Sequence, residues 1–173
     1  VDYQVDFVNG ALGFPAAEAI EDAICARIRA CREAGGTVVY TLDLHDADYL
    51  RTQEGLHLPV PHCLIDSDGV QLFGRVGLAR RPEDIVFGKD TFGSCQLMDW
   101  LRAQDDVSEI ELCGVVTSIC VLANAVIAKT AQPNVPILID ARAVADNDAA
   151  QGEKALDVLQ GIHCTVVGRE KAD

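Results

Sequence analysis

The sequence is poor in positive charge. Only 14 of its 173 residues are Lys or Arg, whereas 27 are Asp or Glu, and the formal net charge is −13. Proteins bind nucleic-acid backbones through clustered Lys and Arg that release counterions from the phosphates, and anionic membrane surfaces attract the same side chains. The few cations of this chain are scattered among its anions. We therefore expect no nucleic-acid partner and no membrane partner.

Long apolar runs are also missing. The longest ones, such as residues 135–139, fall far short of the roughly 20 apolar residues that a membrane-spanning helix needs. Yet 49% of the residues are apolar, which is enough to bury a core at a length typical of one domain. We therefore predict one folded domain over residues 1–173, and neither a transmembrane helix nor a disordered chain.

Paired cysteine motifs are absent, although the chain has seven cysteines. The count is odd, there is no CxxC pair or zinc-ribbon spacing, and no apolar leader resembles a signal peptide. Most of these thiols lie within apolar or helical patterns, where cysteine behaves as a small hydrophobic residue. Reduced cysteines and a cytoplasmic location are the expectation.

Several common catalytic motifs are absent as well. The sequence contains no GxxxxGK[ST], GxGxxG or GxSxG, and no cysteine followed by five residues and an arginine. These absences argue against P-loop NTPases, Rossmann oxidoreductases, serine hydrolases and cysteine phosphatases.

The sequence does contain alternating β-branched and helical-period segments, which are typical of βαβ units. They predict a three-layer α/β/α fold with a mainly parallel sheet of about six strands. The predicted strands are residues 1–7, 37–42, 84–87, 110–116, 135–140 and 163–167. The predicted helices are residues 16–34, 91–102 with Thr91 as the cap, 119–131 and 148–159. Residues 46–83 are rich in loops and receive only short elements.

Ligands of open α/β sheets bind beyond the carboxyl ends of the strands, and Cys120 follows such an end. A buried strand turns there into a helix for which Thr117 or Ser118 suits the N-cap, so Cys120 falls in the first turn. Free N–H groups and the helix dipole favour a thiolate at that position and offer an oxyanion site. Cys120 is therefore a candidate nucleophile; the alternative is a thiol that only fills the core.

A second candidate group consists of possible metal ligands. Asp43 and His45 are two residues apart at the end of a strand, so both side chains point to the same face. His62 follows in the stiff segment Pro-Val-Pro-His-Cys. One carboxylate and two imidazoles suit Zn²⁺, Mn²⁺ or Fe²⁺ with water completing the shell. The alternative is an ordinary ion pair at the strand end.

Charged partners for Cys120 are available at the same predicted edge. Lys89 follows an apolar strand, and a cation there lowers the pKa of a neighbouring thiol; the alternative is a solvated lysine. Asp2 and Asp6 both lie in the first predicted strand, where a carboxylate needs a partner or a task. Spacing alone does not choose between these two carboxylates.

Taken in order, these segments resemble the isochorismatase-like cysteine hydrolases, within them the nicotinamidase/pyrazinamidase branch. Residues 1–8 (VDYQVDFV) are similar to the family's opening motif, and residues 41–45 (TLDLH) and 59–63 (PVPHC) to its metal-binding elements. Residues 86–89 (VFGK) resemble the lysine segment, and residues 114–121 (GVVTSICV) resemble the nucleophile turn.

The resemblance implies a catalytic triad of Asp2, Lys89 and Cys120. It also implies a cis peptide bond between Val115 and Val116 that orients N–H groups as an oxyanion hole together with Cys120. By the same analogy, Phe7 packs on the ring of the substrate.

The resemblance further implies one divalent metal ion held by Asp43, His45 and His62, with Glu54 as a further ligand. Zinc is the expected metal, and manganese and iron are alternatives. A histidine that many relatives carry after Asp-x-His is missing from residues 46–50. Ser118 and Pro59 stand where many relatives have an aspartate and an aromatic residue.

The activity implied is hydrolysis of a small amide, with nicotinamide as the first choice, through a thioester. Other hydrolases of the family, acting on isochorismate, ureidoacrylate or N-carbamoyl substrates, are the alternatives, as is a non-catalytic binding protein on the same fold. The family resemblance also predicts association of the chain with copies of itself.

Overall fold

The computed structural model describes residues 1–169, which form an α/β fold with two parallel sheets. The first sheet pairs β1 (Val39–Asp43) with β2 (Ile85–Lys89). The second sheet contains β3 (Ile110–Val115), β4 (Ile137–Ala145) and β5 (Thr165–Val167) in that order. The predicted fold class is confirmed, with five strands in the described residues where about six were expected.

Eight α-helices are present in the described residues and connect or cover these strands. They are α1 (Val5–Val8), α2 (Pro15–Ala19), α3 (Glu21–Glu33), α4 (Gln53–His57), α5 (Gly74–Ala79), α6 (Cys95–Arg102), α7 (Leu122–Ala131) and α8 (Ala149–Gly161). Short 3₁₀ turns occupy Tyr49–Arg51 and Asp68–Val70, and a π-helical turn spans Thr117–Val121. No helix in residues 1–169 combines the length and the apolar character that crossing a membrane requires.

The prediction of a first strand over residues 1–7 is wrong. Asp2 has a positive φ of 45°, which ends the extended chain, and α1 begins at Val5. Residues 1 and 2 nevertheless lie between the two sheets. The Asp2 N–H donates to the Thr41 carbonyl at 3.2 Å, and the Val115 N–H donates to the Val1 carbonyl at 3.1 Å. This segment therefore joins β1 to β3 without forming a regular strand.

Close approach of the first residue to β3 depends on Gly114. Its φ is +123°, a conformation that side chains disfavour, and a Cβ atom there would overlap the carbonyl oxygen of Val1. Glycine thus lets the N-terminal segment settle directly against the strand that leads to Cys120.

Two helix boundaries also differ from the predictions. The helix expected over residues 16–34 is divided into α2 and α3 at Ile20. The helix expected to start at Thr91 starts at Cys95, because the Ser94 hydroxyl caps it by accepting the Leu97 N–H at 3.1 Å. Strand β4 extends beyond its predicted end at residue 140 to Ala145.

Apolar side chains form two core clusters on opposite faces of β4. Ala143 belongs to the first cluster, with α3 residues such as Ile24 and Ile28, and Val144 belongs to the second, with Leu156 and Leu159 of α8. Successive residues of a strand point to opposite faces, so the helices cover the strands on both sides.

The parallel strands end at one edge. Asp43 at the end of β1 is the register partner of Lys89 at the end of β2. Strand β3 ends at Val115, five residues before Cys120. The fold therefore brings the predicted site residues of three strands to the same edge.

Candidate active site

Cys120 lies in the turn that follows β3. The Val115–Val116 peptide bond is cis, the π-helical turn starts at Thr117, and the thiol residue is 6% exposed. The expectation that Thr117 or Ser118 caps this turn is wrong, because Val116 occupies the cap position without a side-chain hydrogen bond. Instead, the Ser118 N–H donates to Asp146 Oδ2 at 2.8 Å.

Lys89 connects Cys120 to a carboxylate. Its Nζ lies 2.7 Å from Asp2 Oδ2 and 3.8 Å from the Cys120 Sγ, and all three side chains are buried. The Thr41 hydroxyl donates to the other Asp2 oxygen at 2.6 Å and fixes the carboxylate.

Asp6, the other carboxylate left open by the sequence, lies elsewhere in the same N-terminal segment. Its carboxylate accepts the Cys63 N–H at 2.7 Å and the Ala11 N–H at 3.1 Å. Asp6 therefore fixes the turn after His62, whereas Asp2 contacts Lys89.

The electrostatics of this group differ from the simple expectation of a lowered thiol pKa. Burial and the neighbouring charge of Asp2 raise the pKa of Cys120 well above its ordinary value, and the opposing effect of Lys89 does not offset them. Burial lowers the pKa of Lys89, but Asp2, Cys120 and Asp43 outweigh that effect and the net pKa is raised. Both shifts favour the uncharged thiol and the charged amine, so formation of a reactive thiolate requires a proton acceptor.

A second cluster consists of Asp43, His45, Glu54 and His62, whose potential ligand atoms all lie within 4.8 Å of one another. Asp43 Oδ2 lies 2.9 Å from His45 Nε2 and 3.3 Å from His62 Nε2. Glu54 Oε1 lies 3.6 Å from His62 Nε2 and 3.9 Å from His45 Nε2. Helix α4 supplies Glu54, and Thr52 caps that helix by accepting the Gly55 N–H at 3.0 Å.

The donor set of this cluster fits a divalent cation. His62 Nδ1 lies 2.8 Å from the Val60 carbonyl, which assigns the proton to that nitrogen and leaves Nε2 facing the cluster with a lone pair. Burial and the charge of Asp43 raise the pKa of Glu54, although the charges of His45, His62 and Lys89 oppose this shift. Two imidazoles and two carboxylates match the ligands that zinc takes in proteins, and they also suit manganese or iron.

The sequence did not indicate the ring of Tyr49 as part of the site. Its centroid lies 4.7 Å from that of His45 and 5.0 Å from that of His62, and its hydroxyl donates to the Leu58 carbonyl at 2.9 Å. Burial and the charges of Glu54 and Asp43 raise the pKa of Tyr49 to about 12. The ring of Phe7 also packs against His62, with 5.3 Å between the ring centroids.

Thr41 is another contact that the sequence analysis missed, although its signal was present. It stands two residues before Asp43 in β1 and so shares the face of that side chain. Tyr49 carried no comparable signal, because its place depends on the 3₁₀ turn at Tyr49–Arg51.

Comparison with known proteins agrees with the family resemblance of the sequence. The isochorismatase domain family matches residues 1–171. The fold and this match define a hydrolase of the α/β type, and the chain belongs to the isochorismatase family. No curated protein matches the chain.

Solved structures similar to the chain include nicotinamidases and pyrazinamidases. A pyrazinamidase/nicotinamidase from Streptococcus mutans is 27% identical with a TM-score of 0.85, and the match covers 96% of each chain. The nicotinamidase/pyrazinamidase PncA from Bacillus subtilis is 32% identical with a TM-score of 0.82, covering 95% of this chain and 94% of that one. A pyrazinamidase from Pyrococcus horikoshii, solved in complex with zinc, is 25% identical with a TM-score of 0.81, covering 96% and 94%. These neighbours are consistent with the nicotinamidase-like branch.

Proposed function

We propose that the chain is a single-domain, cysteine-dependent amidohydrolase that converts nicotinamide to nicotinate and ammonia. The observation that carries the proposal is the continuous contact from Cys120 through Lys89 to Asp2, with the four-residue metal cluster adjoining Lys89 through Asp43. The nicotinamidases among its structural neighbours support a small aromatic amide as the substrate.

Asp2 acts as the proton acceptor. Because the site favours the uncharged thiol, Asp2 takes its proton as sulfur attacks the amide carbonyl, and Asp2 then donates the proton to the departing ammonia. The carbon–nitrogen bond breaks and a thioester with Cys120 remains. Water attacks the thioester while Asp2 accepts one of its protons. Asp2 then returns this proton to the departing sulfur, which regenerates the thiol and releases the acid. Lys89 holds Asp2 and stabilises developing charge on sulfur.

Backbone N–H groups of the turn stabilise the oxyanion of both tetrahedral intermediates. The N–H groups of Ser118, Ile119 and Val121 already donate to Asp146 or to the Val116 carbonyl. That of Val115 donates to the Val1 carbonyl. Among the other N–H groups of the turn, we assign the oxyanion contacts to those of Val116 and Cys120, the pair that the family resemblance implies.

Asp43, His45, Glu54 and His62 would hold the metal ion, for which zinc is the first choice and manganese or iron the alternatives. When bound, the ion supplies a Lewis-acidic centre that orients the substrate's ring nitrogen. Phe7, which packs against His62, provides an apolar surface for the substrate ring.

Ammonia release tests the proposal. The purified chain, supplied with one equivalent of Zn²⁺, is incubated with nicotinamide, and ammonia and nicotinate are quantified. Equal amounts of both products are expected. Isochorismate, a ureidoacrylate and an N-carbamoyl amino acid form the comparison panel. A preference for one of these compounds over nicotinamide, or no turnover of nicotinamide, would contradict the nicotinamidase assignment.

A further inference from the structure

Gln4 makes hydrogen bonds to the backbone of Asp43 that a neighbouring strand would normally make. Its side chain is fully buried. The Oε1 atom accepts the Asp43 N–H at 2.8 Å, and the Nε2 atom donates to the Asp43 carbonyl at 2.8 Å. A second donation from Nε2 reaches the Val70 carbonyl at 3.0 Å. The amide therefore holds both backbone groups of Asp43.

The need for this amide follows from the local chain path. Up to Asp2, backbone hydrogen bonds join the N-terminal segment to β1, and α1 begins at Val5. The backbone on either side of Gln4 turns to the opposite neighbour: the Val5 N–H donates to the Gln71 carbonyl, and the Phe73 N–H donates to the Tyr3 carbonyl, both at 2.9 Å. In the described residues, the side chain of Gln4 rather than its backbone continues the pairing along β1.

Asp43 is the residue whose placement matters most for both parts of the site. One carboxylate oxygen lies 3.1 Å from Lys89 Nζ, and the other lies within 3.3 Å of both imidazoles. It is also the last residue of β1, where the strand end leaves its backbone groups to be satisfied by other partners. A small rotation of this residue would move it away from Lys89 and from the histidines together.

We propose that Gln4 is a positioning residue: by fixing Asp43, it keeps the carboxylate of Asp43 in contact with both Lys89 and the histidines of the metal cluster. The metal part of this role rests on the proposed function. In other proteins, removing a group that hydrogen-bonds to a metal ligand typically changes metal affinity by about 10–100-fold. We expect an effect of this size when Gln4 is replaced.

Two variants separate the positioning role from a general contribution to folding. Gln4→Glu keeps the shape of the side chain but replaces the donor that faces two carbonyls with an acceptor. Gln4→Met keeps the length and removes all three hydrogen bonds. The matched control is Tyr3→Phe, which removes a buried hydrogen bond of 2.7 Å from the adjacent residue to the Ala17 carbonyl.

The measurements are the dissociation constant for Zn²⁺ by titration calorimetry, the alkylation rate of Cys120 by iodoacetamide followed by peptide mass spectrometry, and the melting temperature. Both Gln4 variants are expected to bind Zn²⁺ at least about tenfold more weakly. Iodoacetamide is expected to alkylate Cys120 at an altered rate in both variants, because Lys89, which contacts the thiol, loses its fixed contact with Asp43. Tyr3→Phe is expected to lower the melting temperature with both other values unchanged.

Unchanged zinc affinity in the Gln4 variants, or an equal loss in Tyr3→Phe, would overturn the proposal. Failure of both Gln4 variants to fold would assign the residue to the fold and overturn it too, as would a wild-type chain that binds no zinc. A wild-type chain that binds zinc but releases no ammonia would contradict the proposed function alone, because the Gln4 comparison needs no turnover.

Discussion

Lys89 and Asp43 end neighbouring parallel strands as register partners, and their side chains meet at 3.1 Å. This ion pair joins the two parts of the site, since Lys89 also contacts Asp2 and Cys120 whereas Asp43 also contacts the histidines. The geometry explains why a lysine at a strand end is buried here, where two carboxylates compensate its charge.

Replacing the nucleophile tests the chemistry most directly. In Cys120→Ala, amide hydrolysis is expected to fall by at least about 10³-fold, because the proposed mechanism forms its thioester on this thiol alone. Zinc affinity and the far-ultraviolet dichroism spectrum are expected to be unchanged. Cys95→Ala is the matched control, because that thiol is exposed on the first turn of α6. A Cys120 variant with wild-type turnover would exclude the assigned nucleophile.

Removal of the buried cation is expected to damage both stability and activity. Lys89→Met leaves Asp2 and Asp43 buried without compensation, and the free energy of unfolding should fall by about 3–5 kcal/mol. Turnover should fall by about 10²–10³-fold, the usual effect of losing one preorganised charge-stabilising group. Urea unfolding and ammonia release measure the two effects.

The double variant that combines Asp2→Asn with Lys89→Met is the control for Lys89→Met. Removing one of the uncompensated carboxylates should restore part of the lost stability but none of the activity. If the double variant is as unstable as the sum of its single variants, the 2.7 Å contact between these side chains contributes no coupling.

Metal removal distinguishes the role of Glu54 from that of its helix. Chelation should lower the melting temperature of the wild-type chain, and Zn²⁺ should restore it, since a ligand of the folded state stabilises that state. Glu54→Gln should bind Zn²⁺ at least about tenfold more weakly. His57→Gln on the same short helix is the control, because that imidazole is exposed and hydrogen-bonds to the Gln53 carbonyl at 2.8 Å, away from the cluster. Equal affinities in the two variants would remove Glu54 from the ligand set.

Asp140 contributes to the dependence of folding stability on pH. Its carboxylate accepts hydrogen bonds from the Arg142 side chain at 2.9 and 2.8 Å, and these bonds hold the pKa of Asp140 below its ordinary value despite burial, which raises it. The folded state therefore binds this proton less readily than the unfolded chain. The resulting stabilisation is fully present above the unfolded pKa of about 3.9 and is lost as pH falls through the lower folded value.

Arg142→Gln tests this linkage. The variant should be less stable than the wild-type chain at pH 7, and the difference should shrink as pH is lowered below about 4. Urea midpoints measured across this range give the comparison, with Arg80→Gln, an equal charge change at an exposed site, as the control. A difference that grows on acidification would contradict the assigned sign.

The contact between Gly114 and the first residue gives a prediction for stability alone. Gly114→Ala places a Cβ atom against the Val1 carbonyl at a φ of +123° and should cost about 2–4 kcal/mol. Gly161→Ala at the end of α8 is the matched control, since no atom lies within 4 Å of a Cβ there, and it should be neutral or stabilising by up to about 1 kcal/mol. Calorimetric melting measures both.

Local patterns in the sequence predict much of the edge at which the strands end. Asp43 and Lys89 follow apolar strands, and parallel strands end together, so their meeting is predictable from strand order. The raised pKa of Cys120 is not predictable in this way, because it depends on how deeply the turn is buried and on the distance to Asp2. The contacts of Gln4 are not predictable from the sequence either. Residues 1–7 have an extended pattern, and the break at Asp2 arises from tertiary contacts with β1 and β3.

The burial of Cys120 has a consequence for oxidative damage. Peroxides and disulfides react with thiolates, and they react with exposed ones first. Cys95 is exposed, whereas Cys120 is buried with a raised pKa. Mild oxidant should therefore consume surface thiol while turnover persists, and a bulk count of free sulfhydryls would understate how much working enzyme a sample contains.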